Sequence, residues 1–387
     1  MIKRITNYLE TRACAPAYSG WVLAGIAICF FGAAINTMAG WLYVSSGLSC
    51  AILAIAAILP PRSLSRLKVS RRLIEPVTAG EDLRIQLEVI NQSQQNVSLL
   101  KITDILPLVL KDKFAQKPLE HTINQIEPKN NYEWEYYYPT QRRGIYRWQT
   151  VQLISGAPLG LFWSRRDRNC PATAIVYPQI LPLVSCPLID ELGKDESRRN
   201  HYQGNPAYAA TEGLIRSLRP YRTGDPIRLV HWRTSARYGE LRVRELEVIT
   251  GGEDIIIALD SAAQWNEENF EQAVIAATSL YFYAQRQQMK VQLWTAGTGL
   301  VRGENRRILE TLAATLPQED VISTEPPNIP LIWLTENVTT ISSLPNGSRW
   351  ALWQNHESEP HQVINQDIPG LIISKEEQLQ NQLQKII

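Results

Sequence analysis

Two apolar runs, Trp21 to Met38 and Trp41 to Leu59, stand near the start of the chain, and no charged residue occurs between Arg12 and Arg62. Each run is long enough to cross a bilayer as a helix, which takes about 20 apolar residues. Asn36, Thr37, Ala39 and Gly40 break the pattern between the runs, while Trp21, Trp41 and Tyr43 sit where interfacial aromatics are expected. The pattern predicts a tight transmembrane helical hairpin over 21–59, in contact with a lipid bilayer. A short segment, 1–20, precedes it, and a basic juxtamembrane linker, 60–69, follows, with Pro60-Pro61-Arg62-Ser63 ending the second helix. A helical hairpin buried in a soluble core would need a polar outward face, and these runs carry no charge.

From Ser70 to Gln179 the period shortens from helical to strand-like. Leu83-Arg84-Ile85-Gln86-Leu87-Glu88-Val89 alternates cleanly, a turn-rich stretch follows over Asn91 to Asn96, and Val97-Ser98-Leu99-Leu100-Lys101-Ile102 reads as the return strand of a hairpin. Tyr132 to Tyr138, Gly144 to Leu153 and Thr173 to Tyr177 continue the pattern, so 70–179 is expected to be an immunoglobulin-like β-sandwich. Two segments stand out, Arg142-Arg143-Gly144-Ile145-Tyr146 and Ala157-Pro158-Leu159-Gly160-Leu161-Phe162. Their structural reading gives turns at Gly144 and Gly160 and core packing to Leu161 and Phe162.

A third pattern begins at Asp254, where Asp254-Ile255-Ile256-Ile257-Ala258-Leu259-Asp260-Ser261 has the continuous apolar character of a buried parallel strand. Helical periodicity over 267–288, strand over 291–294, helix over 305–316 and strand over 331–334 predict a doubly wound α/β domain over 254–387 with helices on both faces. Leu371 to Ser374 reads as a last strand, and Glu376 to Gln384 as a terminal helix.

Charge adds orientation. Lys3, Arg4 and Arg12 precede the hairpin, Arg62, Arg66, Lys68, Arg71 and Arg72 follow it, and the connection between the helices carries none. The positive-inside rule then keeps both termini and the soluble domains cytoplasmic, at a plasma membrane crossed twice. A cleaved signal peptide is the competing reading, but the first run is long for a signal core and the second ends in a basic stop pattern. The formal net charge of the 387-residue chain is +1, which gives no general case for nucleic acid. Cys14, Cys29, Cys50, Cys170 and Cys186 are scattered and odd in number, which does not suit a disulfide framework.

The connecting region, 180–253, holds a dense arginine-rich segment. Arg216, Arg219, Arg222, Arg228, Arg233, Arg237, Arg242 and Arg244 are interleaved with Tyr221, His231, Trp232, Asp225, Glu240, Glu245 and Glu247. Thr223-Gly224-Asp225-Pro226 reads as a helix start with Asp225 as N-cap, the helix ending near Ala236. One reading makes the arginines an anion-binding surface for phosphates or acidic loops, since guanidinium groups bind such anions in bidentate fashion. The other makes them an internal network paired with Asp225, Glu245 and Glu247. The candidate interaction motif is Arg219, Tyr221, Arg222, Gly224, Asp225, Arg228, Trp232, Ser235, Arg237, Arg244 and Glu245.

Arg219-Pro220-Tyr221-Arg222-Thr223-Gly224-Asp225-Pro226-Ile227-Arg228, His231-Trp232-Arg233-Thr234-Ser235-Ala236-Arg237 and Leu241-Arg242-Val243-Arg244-Glu245 together resemble the signature of the bacterial domain-of-unknown-function family number 58. The resemblance extends to Arg143-Gly144-Ile145-Tyr146 and Pro158-Leu159-Gly160-Leu161-Phe162. It implies two membrane helices, a β-rich region and a von Willebrand A-like domain. The partners it implies are a MoxR-type AAA+ ATPase and membrane proteins with transglutaminase-like domains. In a von Willebrand A domain an Asp-x-Ser-x-Ser motif at the strand end binds a divalent cation, but here Asp260-Ser261-Ala262-Ala263-Gln264 puts Ala262 and Gln264 at the serine positions. Asp260 is the remnant of an incomplete metal motif, and no metal is expected there.

Other chemistry is thin. Gly297-Thr298-Gly299 and Gly303 miss the dinucleotide fingerprint, so no cofactor is expected. His356 and His361 read as part of a solvated loop, and no nucleophile stands in a catalytic context. The chain is therefore expected to be a non-enzymatic adaptor that helps assemble or mature a membrane or cell-envelope complex. The alternative is a membrane-surface enzyme or sensor holding a phosphorylated ligand through Arg219, Arg222, Arg228 and Arg237, with Asp225 or His231 in proton transfer.

Overall fold

The computed structural model describes residues 14–107, 119–192, 214–222, 229–247, 254–321, 329–354 and 368–385. The chain divides into two compact units, Met1–Pro178 and Gln179–Ile387.

The first unit opens with a short strand, β1 (Ala15–Pro16), and two helices, α1 (Tyr18–Thr37) and α2 (Gly40–Ser65), both long and apolar enough to cross a membrane. Ala27 and Ala34 of α1 are buried small residues, and Ser46 of α2 donates its hydroxyl to the Ala27 carbonyl at 2.9 Å. The opposite faces leave Trp21, Ile28, Phe31, Ile35, Trp41, Val44 and Leu48 exposed. The second helix does not stop at Pro60-Pro61; it runs to Ser65. Two prolines remove the donors to the Ala56 and Ala57 carbonyls, and in the last turn the Ser63 and Ser65 hydroxyls bond to the carbonyls of Pro60 and Arg62. Burial of Leu64 in the neighbouring β core provides the reason for the extra turn.

Eight strands follow in this unit: β2 (Leu67–Arg71), β3 (Val77–Thr78), β4 (Asp82–Asn91), β5 (Val97–Asp104), β6 (Leu119–Ile126), β7 (Asn131–Pro139), β8 (Gly144–Ser155) and β9 (Phe162–Tyr177). They form two sheets, β2-β4-β7 and β1-β9-β8-β5-β6, with β3 added to β9. The expected hairpin between β4 and β5 is absent: β4 pairs with β2 and β7, whereas β5 pairs with β6 and β8. Their connection crosses between the sheets instead, so the alternating apolar residues Leu83, Ile85, Leu87 and Val89 meet Leu100 and Ile102 in one core. Asn91 organises the crossing. Its amide donates to the carbonyls of Gln95, Ile126 and Glu127, and its side-chain oxygen accepts from the Ser93 amide and hydroxyl. Leu161 and Phe162 were expected in this core; both are half-buried outside it, at the foot of α1. Tyr146 donates its hydroxyl to the Arg142 carbonyl at 2.8 Å, closing the turn before β8.

An ion pair is buried inside the sandwich. Arg71 reaches both oxygens of Asp104, at 2.8 and 3.0 Å, with the two side chains 2% and 0% exposed. Tyr136 donates to the same carboxylate at 2.6 Å, Trp148 donates its indole N–H at 3.1 Å, and the guanidinium lies over the Trp148 ring at 4.9 Å. Burial and the neighbouring Asp104 charge push the Tyr136 phenol far above its ordinary value. Four donors on one carboxylate offset the desolvation of the pair.

The second unit starts with Leu183, Cys186, Leu188, Ile189 and Leu192, which pack into its core around a short helix, α3 (Pro187–Asp190). The α/β unit thus begins well before 254, inside the region read as a connection. A two-stranded antiparallel sheet, β10 (Leu214–Pro220) and β11 (Arg242–Glu247), brackets α4 (Trp232–Tyr238). Then come β12 (Asp254–Leu259), α5 (Glu267–Arg286), β13 (Lys290–Thr295), β14 (Gly299–Val301), α6 (Asn305–Ala314), β15 (Leu331–Thr335), β16 (Arg349–Trp353), β17 (Gly370–Ile373) and α7 (Leu379–Leu383). The sheet order is β14-β13-β12-β15-β16-β17, parallel except for the β13–β14 hairpin. Residues of α5, α6 and α7 share one apolar cluster with Ile255, Ile257 and Leu259. On the other face no helix beyond a 3-10 turn occurs among the described residues. Among these residues that face is covered by Trp294, Trp333, Trp350 and the turn, Val338–Ser343, packed on Ile256 and Ala258.

The buried pair gives a prediction for the sandwich. Asp104→Ala leaves Arg71 buried without its counter-charge and should destabilise the first unit by about 3–5 kcal/mol. Arg71→Met combined with Asp104→Leu removes both charges and should restore most of the loss. Denaturant unfolding of the full-length protein in detergent, followed by tryptophan fluorescence, measures both; equal destabilisation by the single and double variants would refute the electrostatic account.

Candidate functional site

Two places in the second unit carry chemistry-bearing side chains: the β10–α4–β11 module and the carboxyl edge of the parallel sheet. In the module, strand register sets Arg219 opposite Val243, Arg244 opposite Leu218 and Glu245 opposite Ser217. Two backbone bonds hold the described ends of the connection to residues 241–243: the His231 amide donates to the Arg242 carbonyl, where Val230 bridges Val243, and the Tyr221 amide donates to the Leu241 carbonyl. Ser235 links helix to strand, donating its hydroxyl to the His231 carbonyl at 3.0 Å and accepting from the Arg242 amide at 2.9 Å. It is buried, and so is Val243 beside it.

The expected helix start at Asp225 lies outside the described residues, and the helix that is described stands further along. It starts at Trp232, capped by His231, whose Nδ1 accepts from the Thr234 amide at 3.2 Å and pairs with the Thr234 hydroxyl at 2.8 Å. It runs past Ala236 to Tyr238, where Gly239 closes it in the left-handed conformation, φ 71°. That closure needs a residue without a Cβ penalty. Gly224, Asp225 and Arg228 lie outside the described residues, as do His356 and His361, and Arg219, Arg244 and Glu245 are placed by backbone alone.

What the module presents is an aromatic and basic face. Trp232 is 62% exposed and Tyr238 59%, and Arg222, Arg233 and Arg237 are exposed as well. Arg242 is drawn inward: it lies over the Tyr238 ring at 4.4 Å and pairs with Glu240 at 2.8 Å. Arg233 and Arg237, by contrast, make no ion pair with another described residue. The partners named in the internal-network reading, Asp225, Glu245 and Glu247, have no described side chains, and Arg242 has a different partner, Glu240.

At the sheet edge, β12 and β15 are the neighbours where strand order reverses, the place at which open α/β sheets take ligands. Asp260 follows β12, buried, with its carboxylate accepting from the Thr335 hydroxyl at 2.8 Å and its carbonyl accepting from the Trp265 indole at 2.6 Å. Ser261 accepts from the Ala296 amide at 3.0 Å, and Glu336 accepts from the Asn266 amide and the Asn269 side chain. Every one of these oxygens serves an internal bond. A hard cation needs several converging oxygens, and the residues at 262 and 264, alanine and glutamine, do not complete such a set. Among the described residues no group of three or more His, Cys, Asp and Glu side chains is placed to hold a metal ion. Burial raises the Asp260 carboxyl above its ordinary range, opposed by the Thr335 hydrogen bond.

Residues 217–321 match the model of a family described as "Protein of unknown function DUF58". The match covers neither the helical hairpin nor the sandwich. The matched DUF58 region takes in the arginine-rich module and the first part of the α/β sheet, from the end of β10 to beyond α6. No curated protein matches the chain. Solved structures similar to part of it include the CARDB domain of the PF1109 protein from Pyrococcus furiosus, at 11% identity over 28% of this chain and 94% of that one, TM-score 0.20. Another is the alkylpurine DNA glycosylase AlkC of Pseudomonas fluorescens bound to DNA containing an abasic site analog, at 10% identity over 45% of this chain and 47% of that one, TM-score 0.20.

Asp260 in the DUF58 region supplies a pH prediction. A carboxyl that holds its proton more tightly folded than unfolded adds stability at low pH and loses it as pH rises through the folded value. Asp260→Asn keeps an acceptor for Thr335 and removes the buried charge. Its thermal midpoint at pH 7 should be no lower than that of wild type, with wild type gaining on the variant as pH falls towards about 4. A variant that melts well below wild type at pH 7 and tracks it at every pH would refute a buried, raised carboxyl.

Proposed function

We propose that this protein is a membrane-anchored adaptor whose DUF58 region presents the α4 face to a protein partner. The observation that carries the reading is the exposure of Trp232 and Tyr238 beside Arg233 and Arg237 on a helix fixed by Ser235. Tryptophan, tyrosine and arginine are the residue types that anchor protein interfaces, and a pre-ordered helix loses little freedom on docking. The basic character suits an acidic partner surface.

The rest of the assignment follows the family resemblance and the pattern of charges. The two apolar helices hold the chain in a plasma membrane, and the flanking Lys and Arg residues favour a cytoplasmic sandwich and α/β unit. The parallel sheet, with β14 as an antiparallel edge and Asp260 at the end of its central strand, supports a von Willebrand A-like domain whose cation-binding edge has been replaced by internal hydrogen bonds. A MoxR-type AAA+ ATPase is the partner class the resemblance suggests, with a transglutaminase-like membrane protein as a further component. The role is then assembly or maturation of a membrane or cell-envelope complex, and the proposal assigns the chain no catalysis of its own.

The test is capture of the full-length protein from its host membrane with mass spectrometry, comparing wild type with Trp232→Ala and Arg237→Glu. An AAA+ ATPase should copurify with wild type and fall by about tenfold or more in each variant, the loss typical of an interface anchor. Equal recovery in all three, with unchanged thermal midpoints, would place any contact elsewhere; capture of no ATPase would remove that partner class.

A further inference from the structure

The segment Pro158-Leu159-Gly160-Leu161-Phe162, distinctive in the sequence, is absorbed neither by the sandwich core nor by the α4 face. It joins β8 to β9 and lies against the start of the first apolar helix. The Ala17 amide donates to the Leu161 carbonyl at 2.8 Å, and the Ser19 hydroxyl donates to the Gly160 carbonyl at 3.4 Å. The strand pair sets Ala15 opposite Trp163 and Pro16 opposite Phe162. Contact is so close at Gly20 that a Cβ there would lie 2.3 Å from the Leu161 oxygen. These bonds fix the segment at the level of the first turn of α1.

That level has a physical meaning once the helices cross a bilayer. The 20 residues of α1 span about 30 Å, the thickness of the hydrocarbon core. Its first turn therefore stands at the boundary between acyl chains and headgroups. The α2 helix has 26 residues, about 9 Å more than the core needs. Its surplus emerges on the same side, carrying exposed Arg62 and Arg66. Leu64 near its end is fully buried in the sandwich, and its carbonyl accepts from Arg168 of β9 at 2.5 Å. Both helices are thus fastened to β9 at one end of the hairpin, and the side chains left exposed there are those that favour a membrane interface: Tyr18 at 87%, Trp21 at 67%, Leu159 at 53% and Trp163 at 38%.

We infer that the Pro158–Trp163 segment is a membrane-surface contact of the sandwich, with Leu159 and Trp163 seated in the phospholipid headgroup layer and Arg62 and Arg66 facing lipid phosphates. The inference rests on the reading of α1 and α2 as a bilayer-spanning hairpin. Its occupant is the bilayer surface itself, because backbone hydrogen bonds make the segment continuous with the anchor. Basic side chains at the α2 exit match the charge of phosphates.

Full-length protein in nanodiscs of mixed phosphatidylcholine and phosphatidylglycerol tests it, using a phospholipid with a photoactivatable diazirine close to the headgroup. Adducts are located by tandem mass spectrometry after trypsin, which releases Trp148 to Arg165 as one peptide. Adducts are expected within 158–163 and at the ends of α1 and α2, and those within 158–163 should be lost in a Leu159→Glu, Trp163→Glu double variant that keeps its near-ultraviolet circular dichroism. Adducts confined to the helices, with none in 158–163, would overturn the surface contact and leave the anchor standing. Adducts absent from 18–65 as well would overturn the anchor and the contact together. If the double variant loses its circular dichroism, Leu159→Gln alone, at the more exposed position, decides by the same loss or retention of adducts.

Discussion

The last turn of α2 enters the sandwich. Leu64 is fully buried among residues of both sheets, and the carbonyl it exposes at the helix terminus is taken by Arg168. A helix end buried without donors is costly, since its final carbonyls have no intrahelical partner. Here one guanidinium from β9 supplies a donor, and two serine hydroxyls serve the carbonyls of Pro60 and Arg62. Because β9 also pairs with β1 ahead of α1, one long strand receives both ends of the helical hairpin. The sandwich is therefore tethered to the helices through shared core and backbone bonds, and residues 60–69, expected as a basic juxtamembrane linker, form the end of α2 and the start of β2.

Such a joint was hidden in the sequence for identifiable reasons. Apolar spacing showed where the helices and strands were, because a period of 2 or 3.6 follows from the geometry of the element itself. Prolines and serines at 60–65 read as a stop, and only the Leu64 side chain, which needs the folded sandwich as its solvent, overrides them. Much of β9 was also obscured, since Arg165, Arg166, Asp167 and Arg168 interrupt its alternation. The Asn91–Asn96 connection carries residues suited to a tight turn, yet Asn91 spends its hydrogen bonds on Ile126 and Glu127, in the opposite sheet's territory. Turn chemistry fixes that a chain bends, not which strand it meets next.

The α/β unit shows the same division. Strands β12 and β15 are continuous apolar runs, β13 reads through Val291, Leu293 and Trp294, and all three were legible. β16 was not, because it begins with Arg349, only 2% exposed, and consists of Arg349-Trp350-Ala351-Leu352-Trp353 with no aliphatic run to announce it. Its tryptophans belong to opposite faces, Trp350 with the cluster of Trp294 and Trp333, and Trp353 with the helical side. On the face opposite α5, α6 and α7 the strands themselves contribute these large indoles, which bury as much apolar surface per residue as any side chain. Candidate-site residues divided likewise. Asp260 was found from its position after a strand, whereas the capping role of His231 and the strand-linking role of Ser235 depend on how the chain folds back.

The sheet edge and the α4 face differ in what their polar atoms are free to do. At the edge, Asp260, Ser261, Thr335 and Glu336 each hold a neighbouring amide, hydroxyl or carboxylate. A ligand arriving there would have to replace bonds already made in a buried setting, where each unsatisfied group is expensive. On α4, Arg233 and Arg237 keep their donors in water, so under the proposed reading an acidic partner would compete only with solvent. Recognition is thus cheaper on the smaller element, but a two-stranded ribbon with one short helix is marginal by itself. The Ser235 hydroxyl, buried between helix and strand and bonded to both, is what lets so small an element hold Trp232 and the arginines in a fixed arrangement.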